Sequence, residues 1–261
     1  GQALRPLLPP KVRARVPRRE EPGEWPAPRH DRHMLVLQGC VQPAMAPRIN
    51  AAAARVLDRL GISLVAAEGA GCCGAVDQHH GAPDDARDRM RANIDAWWPH
   101  IEAGAEAVVM TASGCGAVVQ EYGRLLADDP DYADKAARIA ELARDLTEVV
   151  ADQDLTPFAP ESPPRVAVQT PCTLQHAQDR PRAVTQALAG AGFPLATDPE
   201  AHLCCGSAGT YALLQPQLAG QLRDRKLAGL TQDEPDVIAT ANIGCLHHLA
   251  AASPVPGRHW I

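Results

Sequence analysis

Short apolar runs alternate along the chain with segments of helical period, the arrangement of an α/β protein built on buried parallel strands. Met34-Leu-Val-Leu-Gln38 and Val166-Ala-Val-Gln-Thr170 are two such runs. Each precedes a stretch with apolar positions three and four apart: Val56, Leu57 and Leu60 within 50–60, and Val184, Ala187 and Leu188 within 181–191. Those spacings predict helices with one apolar face, and Gly61 and Gly192 stand where a left-handed residue ends them. Further strands are expected over 62–66 and 193–196, and again over 107–111 and 236–240. A helix over 83–104 would bury Met90, Ile94, Trp97, Trp98 and Ile101, with Pro99 kinking or interrupting it. Another over 132–150 would turn Ile139, Leu142, Leu146 and Val149 inward. The proline-rich stretch 152–164 then reads as a connection.

The cysteines show that this order of elements is a duplication. They stand at 40, 72, 73 and 115, and again at 172, 204, 205 and 245. The first gap is 32 residues in both halves, and the last is 42 in one and 40 in the other. Each adjacent pair continues into glycine, as Cys72-Cys73-Gly74 and Cys204-Cys205-Gly206, and Gly114 and Gly244 precede the final thiols. The fold expected is therefore α/β: two tandem, related cysteine-rich modules with short, mostly parallel sheets and flanking helices. Their boundaries fall at 31–160 and 161–261, after a linker or surface-hugging arm over 1–30. That arm carries prolines and arginines but no apolar leader core.

Composition narrows the function classes. A chain of 261 residues with 46% hydrophobic and 21% charged residues can bury conventional cores without disulfide staples. Aromatics make up only 3%, so close packing through alanine is expected instead. A net charge of −6 argues against nucleic acid as a partner. No apolar run is long enough for a membrane-spanning helix. The glycines at 69–74 match neither a dinucleotide fingerprint nor a phosphate loop.

The repeated thiols carry the chemistry. Inert buried cysteines would leave the matched gaps unexplained, and a disulfide framework suits much smaller secreted chains. Sulfur-rich sites select zinc, Cu(I) or iron–sulfur clusters. A zinc site usually uses short Cys-x₂₋₄-Cys loops, whereas the only short spacing here has no intervening residue. Adjacent thiolates suit a centre offering more than one metal atom, so Cys40, Cys72, Cys73 and Cys115 would hold one iron–sulfur cluster and Cys172, Cys204, Cys205 and Cys245 a second. The three cysteine positions in each half, counting the adjacent pair as one, lie just beyond predicted strand ends, the edge where open α/β sheets bind ligands. Glycine N–H groups beside the thiols could donate to sulfur. His79, His80, His247 and His248 read as helix-surface or capping residues, with hydrogen bonding to sulfur or proton carriage as the alternative, and Asp77 alone defines no base.

Leu203-Cys-Cys-Gly-Ser-Ala-Gly-Thr-Tyr211 and Ala241-Asn-Ile-Gly-Cys-Leu-His-His-Leu249, with Cys40, Cys72-Cys73-Gly74 and Ser113-Gly-Cys-Gly116 in the first half, resemble the duplicated cysteine-rich region of glycolate oxidase iron–sulfur subunits. The wider resemblance is to the heterodisulfide reductase B subunit family, anaerobic glycerol-3-phosphate dehydrogenase C subunits and lactate-utilisation iron–sulfur proteins. It covers the chain from about residue 33 onward. In the heterodisulfide reductase relatives the last element of each half is Cys-x-x-Cys, and here Ala112 and Asn242 stand at the earlier position. Four thiols per half remain for a cubane or modified cluster, and Asn242 could donate a hydrogen bond. The resemblance also implies a preceding ferredoxin-like region, of which this sequence holds no run.

What the resemblance implies is an electron-transfer component of a glycolate or related 2-hydroxy-acid oxidase complex, non-catalytic itself. FAD would sit in partner dehydrogenase subunits, electrons would pass to a quinone or another acceptor, and the location would be cytoplasmic or peripheral at the inner membrane face. A zinc-stabilised assembly module and a thiol/disulfide oxidoreductase are the alternative readings.

Overall fold

A computed structural model describes residues 20–261. Of the arm expected over 1–30, residues 1–19 lie outside the described part. Residues 20–30 run beside the first sheet: Trp25 Nε1 donates to the Leu64 carbonyl at 3.0 Å, and the Arg29 and His30 N–H groups share the Ser63 hydroxyl.

The first half runs β1 (Arg32–Val36), α1 (Gln42–Met45), α2 (Arg48–Arg59), β2 (Ile62–Val65), α3 (Ala75–His79), α4 (Pro83–Glu102), β3 (Val108–Met110), α5 (Ser113–Val119), α6 (Tyr122–Leu125), α7 (Ala133–Leu142), β4 (Ala143–Asp145) and α8 (Leu146–Val150). A single 3₁₀ turn, Thr156–Phe158, lies in the connection. The second half contains β5 (Val166–Gln169), a π-type turn at Thr173–Ala177, α9 (Ala183–Gly190), β6 (Leu195–Ala196), α10 (Tyr211–Leu214), α11 (Pro216–Leu230), β7 (Val237–Thr240), α12 (Ile243–Ala250) and β8 (Gly257–His259).

Two four-stranded sheets result, in the orders β2-β1-β3-β4 and β6-β5-β7-β8, and every strand pair is parallel. The same strand order in both confirms the tandem architecture read from the thiols. Strand alternation splits each core between two sheet faces. Met34 and Val36 join Ala53, Ala54 and Leu57 of α2 on one face, while Leu35 joins Met90, Ile94 and Trp97 of α4 on the other. In the second half Val166 and Val168 meet Val184 and Leu188, and Ala167 meets Leu227 and Leu230. The halves share packing: Ala187 of α9 belongs to a first-half core, and Trp260 packs against cores of both.

Three expectations need correction. Pro99 does not interrupt α4, which continues to Glu102. Pro99 and Asp95 are both exposed residues, so the hydrogen bond that the proline removes is lost on the solvent side of the helix, where it costs least. Trp98 is only half-buried and donates to Glu102 on the helix flank, leaving Trp97 as the fully buried tryptophan. The single helix expected over 132–150 is two helices separated by β4, because Ala143 and Asp145 turn inward while Arg144 stays outside. The edge strand β8 was not expected at all.

Candidate metal centres

Parallel strands place all their C-terminal ends on one edge, and the thiols gather there. Cys40 follows β1, Cys115 follows β3, Cys172 follows β5 and Cys245 follows β7. Cys115 and Cys245 lie in the first turns of α5 and α12, and the two adjacent pairs precede α3 and α10. All eight cysteines are free. Cys40 is exposed, Cys73, Cys205 and Cys245 are buried, and the other four are intermediate.

The sequence-predicted sets are brought together as chains of contacts. Cys40 lies beside Cys72, Cys72 beside Cys73, and Cys73 beside Cys115, each close enough to shift its neighbour's protonation. Cys172 lies beside Cys204, Cys204 beside Cys205, and Cys205 beside Cys245 in the same way. Among the described residues, no three His, Cys, Asp or Glu side chains surround a common single-ion position. Each set is therefore a run of sulfurs and not a closed shell about one point.

Protonation follows from that crowding. Burial and the neighbouring Cys72 push the Cys40 thiol up. A hydrogen bond with Cys73, and then burial, pushes Cys72 up, while Cys73 is raised chiefly by its bond with Cys115. In the second half Cys172 and Cys205 are likewise raised by their bonds to neighbouring thiols and by burial. Cys204, bonded by Cys172, Cys205 and the Gly206 N–H, is held far below the ordinary thiol range. Thiolate ligation requires loss of the other protons, so a metal centre would bind here with proton release.

Glycine makes the turn at each pair possible. Gly74 and Gly206 adopt φ of +85° and +87°, where a side chain is strained. Their N–H groups donate back to Cys72 Sγ at 3.5 Å and Cys204 Sγ at 3.3 Å. Asn242 Nδ2 also donates to Cys245 Sγ, at 3.6 Å. These donors point at sulfur as a thiolate-held centre requires.

Among the described residues none of the four histidines hydrogen-bonds to a thiol, although His248 stands close enough to Cys204 to favour its thiolate. His80 pairs with the Thr210 hydroxyl at 2.8 Å across the halves, His248 Nε2 meets the Ala219 carbonyl at 3.2 Å, and His79 is exposed. Desolvation lowers the pKa of His247. Asp77 is paired with Arg89.

Sequence reasoning missed the residues that brace the thiol loops. Asn93 accepts from Gly71 N–H and donates to the Cys72 carbonyl, both at 2.8 Å, and Tyr122 donates to the Cys73 carbonyl at 2.9 Å. In the second half Lys226 donates to Asp198 at 2.6 Å and to the Glu200 and Ala201 carbonyls. A signal existed: Asn93 falls in the Met90–Trp97 stripe, and Lys226, among only three lysines, adjoins Leu227 in the stripe of α11.

Comparison with known proteins fits this duplication. The CCG cysteine-rich domain model matches residues 34–120 and 166–250. The chain is 53% identical over its whole length to the glycolate oxidase iron-sulfur subunit of Escherichia coli (strain K12), covering 64% of that protein. It is 32% identical to the probable glycolate oxidase iron-sulfur subunit of Bacillus subtilis (strain 168), over 82% of this chain and 48% of that one. Lactate utilization protein A of Bacillus licheniformis is 27% identical over 80% of this chain and 87% of its own. The chain thus spans about half to two-thirds of the length of these two glycolate oxidase relatives. Both matched segments contain a complete four-cysteine set, and the chain belongs to the CCG cysteine-rich domain family, which it carries as a tandem pair.

Proposed function

We propose that this chain is the cluster-bearing part of an electron-transfer subunit in a complex oxidising a 2-hydroxy acid, with glycolate the substrate favoured by its relatives' names. Residues 31–160 and 161–261 would each form one cluster-binding module. Cys40, Cys72, Cys73 and Cys115 would ligate one iron–sulfur cluster, and Cys172, Cys204, Cys205 and Cys245 the other. The observation that carries this reading is the pair of four-thiol runs at equivalent sheet edges, each met by a glycine N–H.

An iron–sulfur cluster, when bound, accepts and releases single electrons. The protein supplies the rest: soft sulfur donors, backbone N–H groups that offset their negative charge, and an apolar floor behind Cys73 and Cys205. Oxidation of the hydroxy acid belongs, in this reading, to a flavin-containing partner. A quinone or another acceptor would take the electrons onward. Among the described residues no helix is long and apolar enough to cross a membrane.

Anaerobic purification followed by iron, acid-labile sulfide and zinc analysis, with EPR before and after reduction, tests the proposal. Iron and sulfide in equal amounts and a reducible EPR signal are expected. Cys205→Ala should lower the iron content and His247→Ala should leave it unchanged. Stoichiometric zinc without sulfide would replace this reading with a structural zinc module.

A further inference from the structure

The last strand of the second sheet reaches into the first half beside its thiol loops. His259 is buried at the end of β8, yet its Nε2 lies 2.8 Å from the Thr111 carbonyl, four residues before Cys115. The Ile261 N–H points at His259 Nδ1 at 3.4 Å. Nδ1 is therefore the acceptor, and Nε2 carries the proton given to Thr111.

Thr111 is the centre of a buried polar network. Its hydroxyl donates to Asn50 Oδ1 at 2.5 Å and accepts from Gln42 Nε2 at 2.8 Å. Asn50 Nδ2 donates to the Gln38 carbonyl at 3.3 Å, two residues before Cys40. Gln42, Asn50 and Thr111 are each no more than 5% exposed. One network therefore joins the loop before Cys40, the loop before Cys115 and the end of β8. The second half ties its corresponding loops internally, through Thr240 Oγ1 and Gln169 Oε1 at 2.7 Å. The first half borrows its outer tie from its neighbour.

We infer that His259 is a positioning residue for the first-half thiols, acting across the seam through Thr111. This rests on the proposed function only in taking those thiols as the site. A residue serving only its own sheet would affect Cys245, whose helix α12 packs against β8, before Cys115.

The test uses the full chain in metal-free, reduced form, alkylated with iodoacetamide and read thiol by thiol by mass spectrometry. His259→Asn is too short to reach Thr111, His259→Phe fills the space without a donor, and His259→Gln places an amide N–H near the lost Nε2. Asn and Phe should speed alkylation of Cys115 about fivefold to tenfold, the factor for one lost hydrogen bond, with Cys245 changed less. Gln should restore the native rate. If Phe prevents folding, the Gln–Asn pair decides. An unchanged Cys115 rate, a larger change at Cys245, or no difference between Gln and Asn would overturn the assignment. Because no metal is needed, this result stands apart from the iron analysis. In iron-loaded protein the same Asn variant should alter an EPR signal that survives Cys205→Ala.

Discussion

Ten residues beyond the proline that opens each long helix, the two modules carry different side chains at equivalent positions: Asn93 in α4 and Lys226 in α11. Both reach back to the loop that delivers the adjacent cysteines. Asn93 does so with a neutral amide, seconded by the Tyr122 hydroxyl at 3.0 Å. Lys226 does so as a cation with 0% side-chain exposure, paired with Asp198 at 4%. Removing a neutral brace leaves buried dipoles unpaired, whereas removing one partner of a buried ion pair leaves an uncompensated charge. The duplicated site is thus held by two devices with different failure modes.

Breaking the ion pair should have the largest effect. Lys226→Met strands the Asp198 carboxylate and should destabilise the chain by about 3–5 kcal/mol in urea unfolding. Asn93→Leu should be milder, at about 1–3 kcal/mol. The double change Lys226→Met with Asp198→Leu should recover most of the loss. Equal losses from the two single variants would erase the distinction between the braces.

A second contrast lies at the ends of the edge strands. Asp145 pairs in register with Met110, and His259 with Thr240, so they are counterparts. Burial pushes the Asp145 carboxyl up to about 6 and the His259 imidazole down to about 4. A raised folded pKa favours the fold in acid and loses that contribution as pH rises through about 6. Asp145→Asn, which keeps a helix-capping oxygen, should therefore stabilise by up to roughly 3 kcal/mol at pH 8 and by almost nothing at pH 4. His259 has the opposite sign: its contribution is complete above pH 6.5 and is lost toward about 4. His259→Gln should flatten that acid limb. Thermal melts across pH 4–8 would separate the two.

The smallest contrast is between the turn glycines. A Cβ at Gly206 would meet the Ala219 carbonyl at 2.5 Å, and one at Gly74 the Ala86 carbonyl at 3.0 Å. Gly74→Ala should cost about 1–2 kcal/mol from backbone strain, and Gly206→Ala about 1 kcal/mol more. Paired denaturant titrations of the two variants would measure the difference.

The central strands and the thiol sets were legible because each has a strong local signature: apolar runs for β1, β3, β5 and β7, and rare residues at repeated spacing for the site. The edge strands β4 and β8 were hidden for the opposite reason, whereas the other two edges, β2 and β6, were expected. Ile139, Leu142, Leu146 and Val149 keep helical spacing straight through β4, so three residues of strand leave the period intact. Gly257-Arg258-His259 follows two prolines, and its buried member is a histidine. Asn93, Lys226 and Thr111 were invisible as supports because an amide, an amine or a hydroxyl gains that role only from burial and from partners distant in sequence.

The seam between the halves has a consequence for how the chain comes apart. Ser113 N–H bonds to the Ala241 carbonyl, its hydroxyl to Thr173, and Gln178 to its carbonyl, all independently of the strap over 152–164. A protease that severed the strap would yield two fragments on a denaturing gel and one particle on a native gel. Two separate particles would show instead that the seam needs the covalent link.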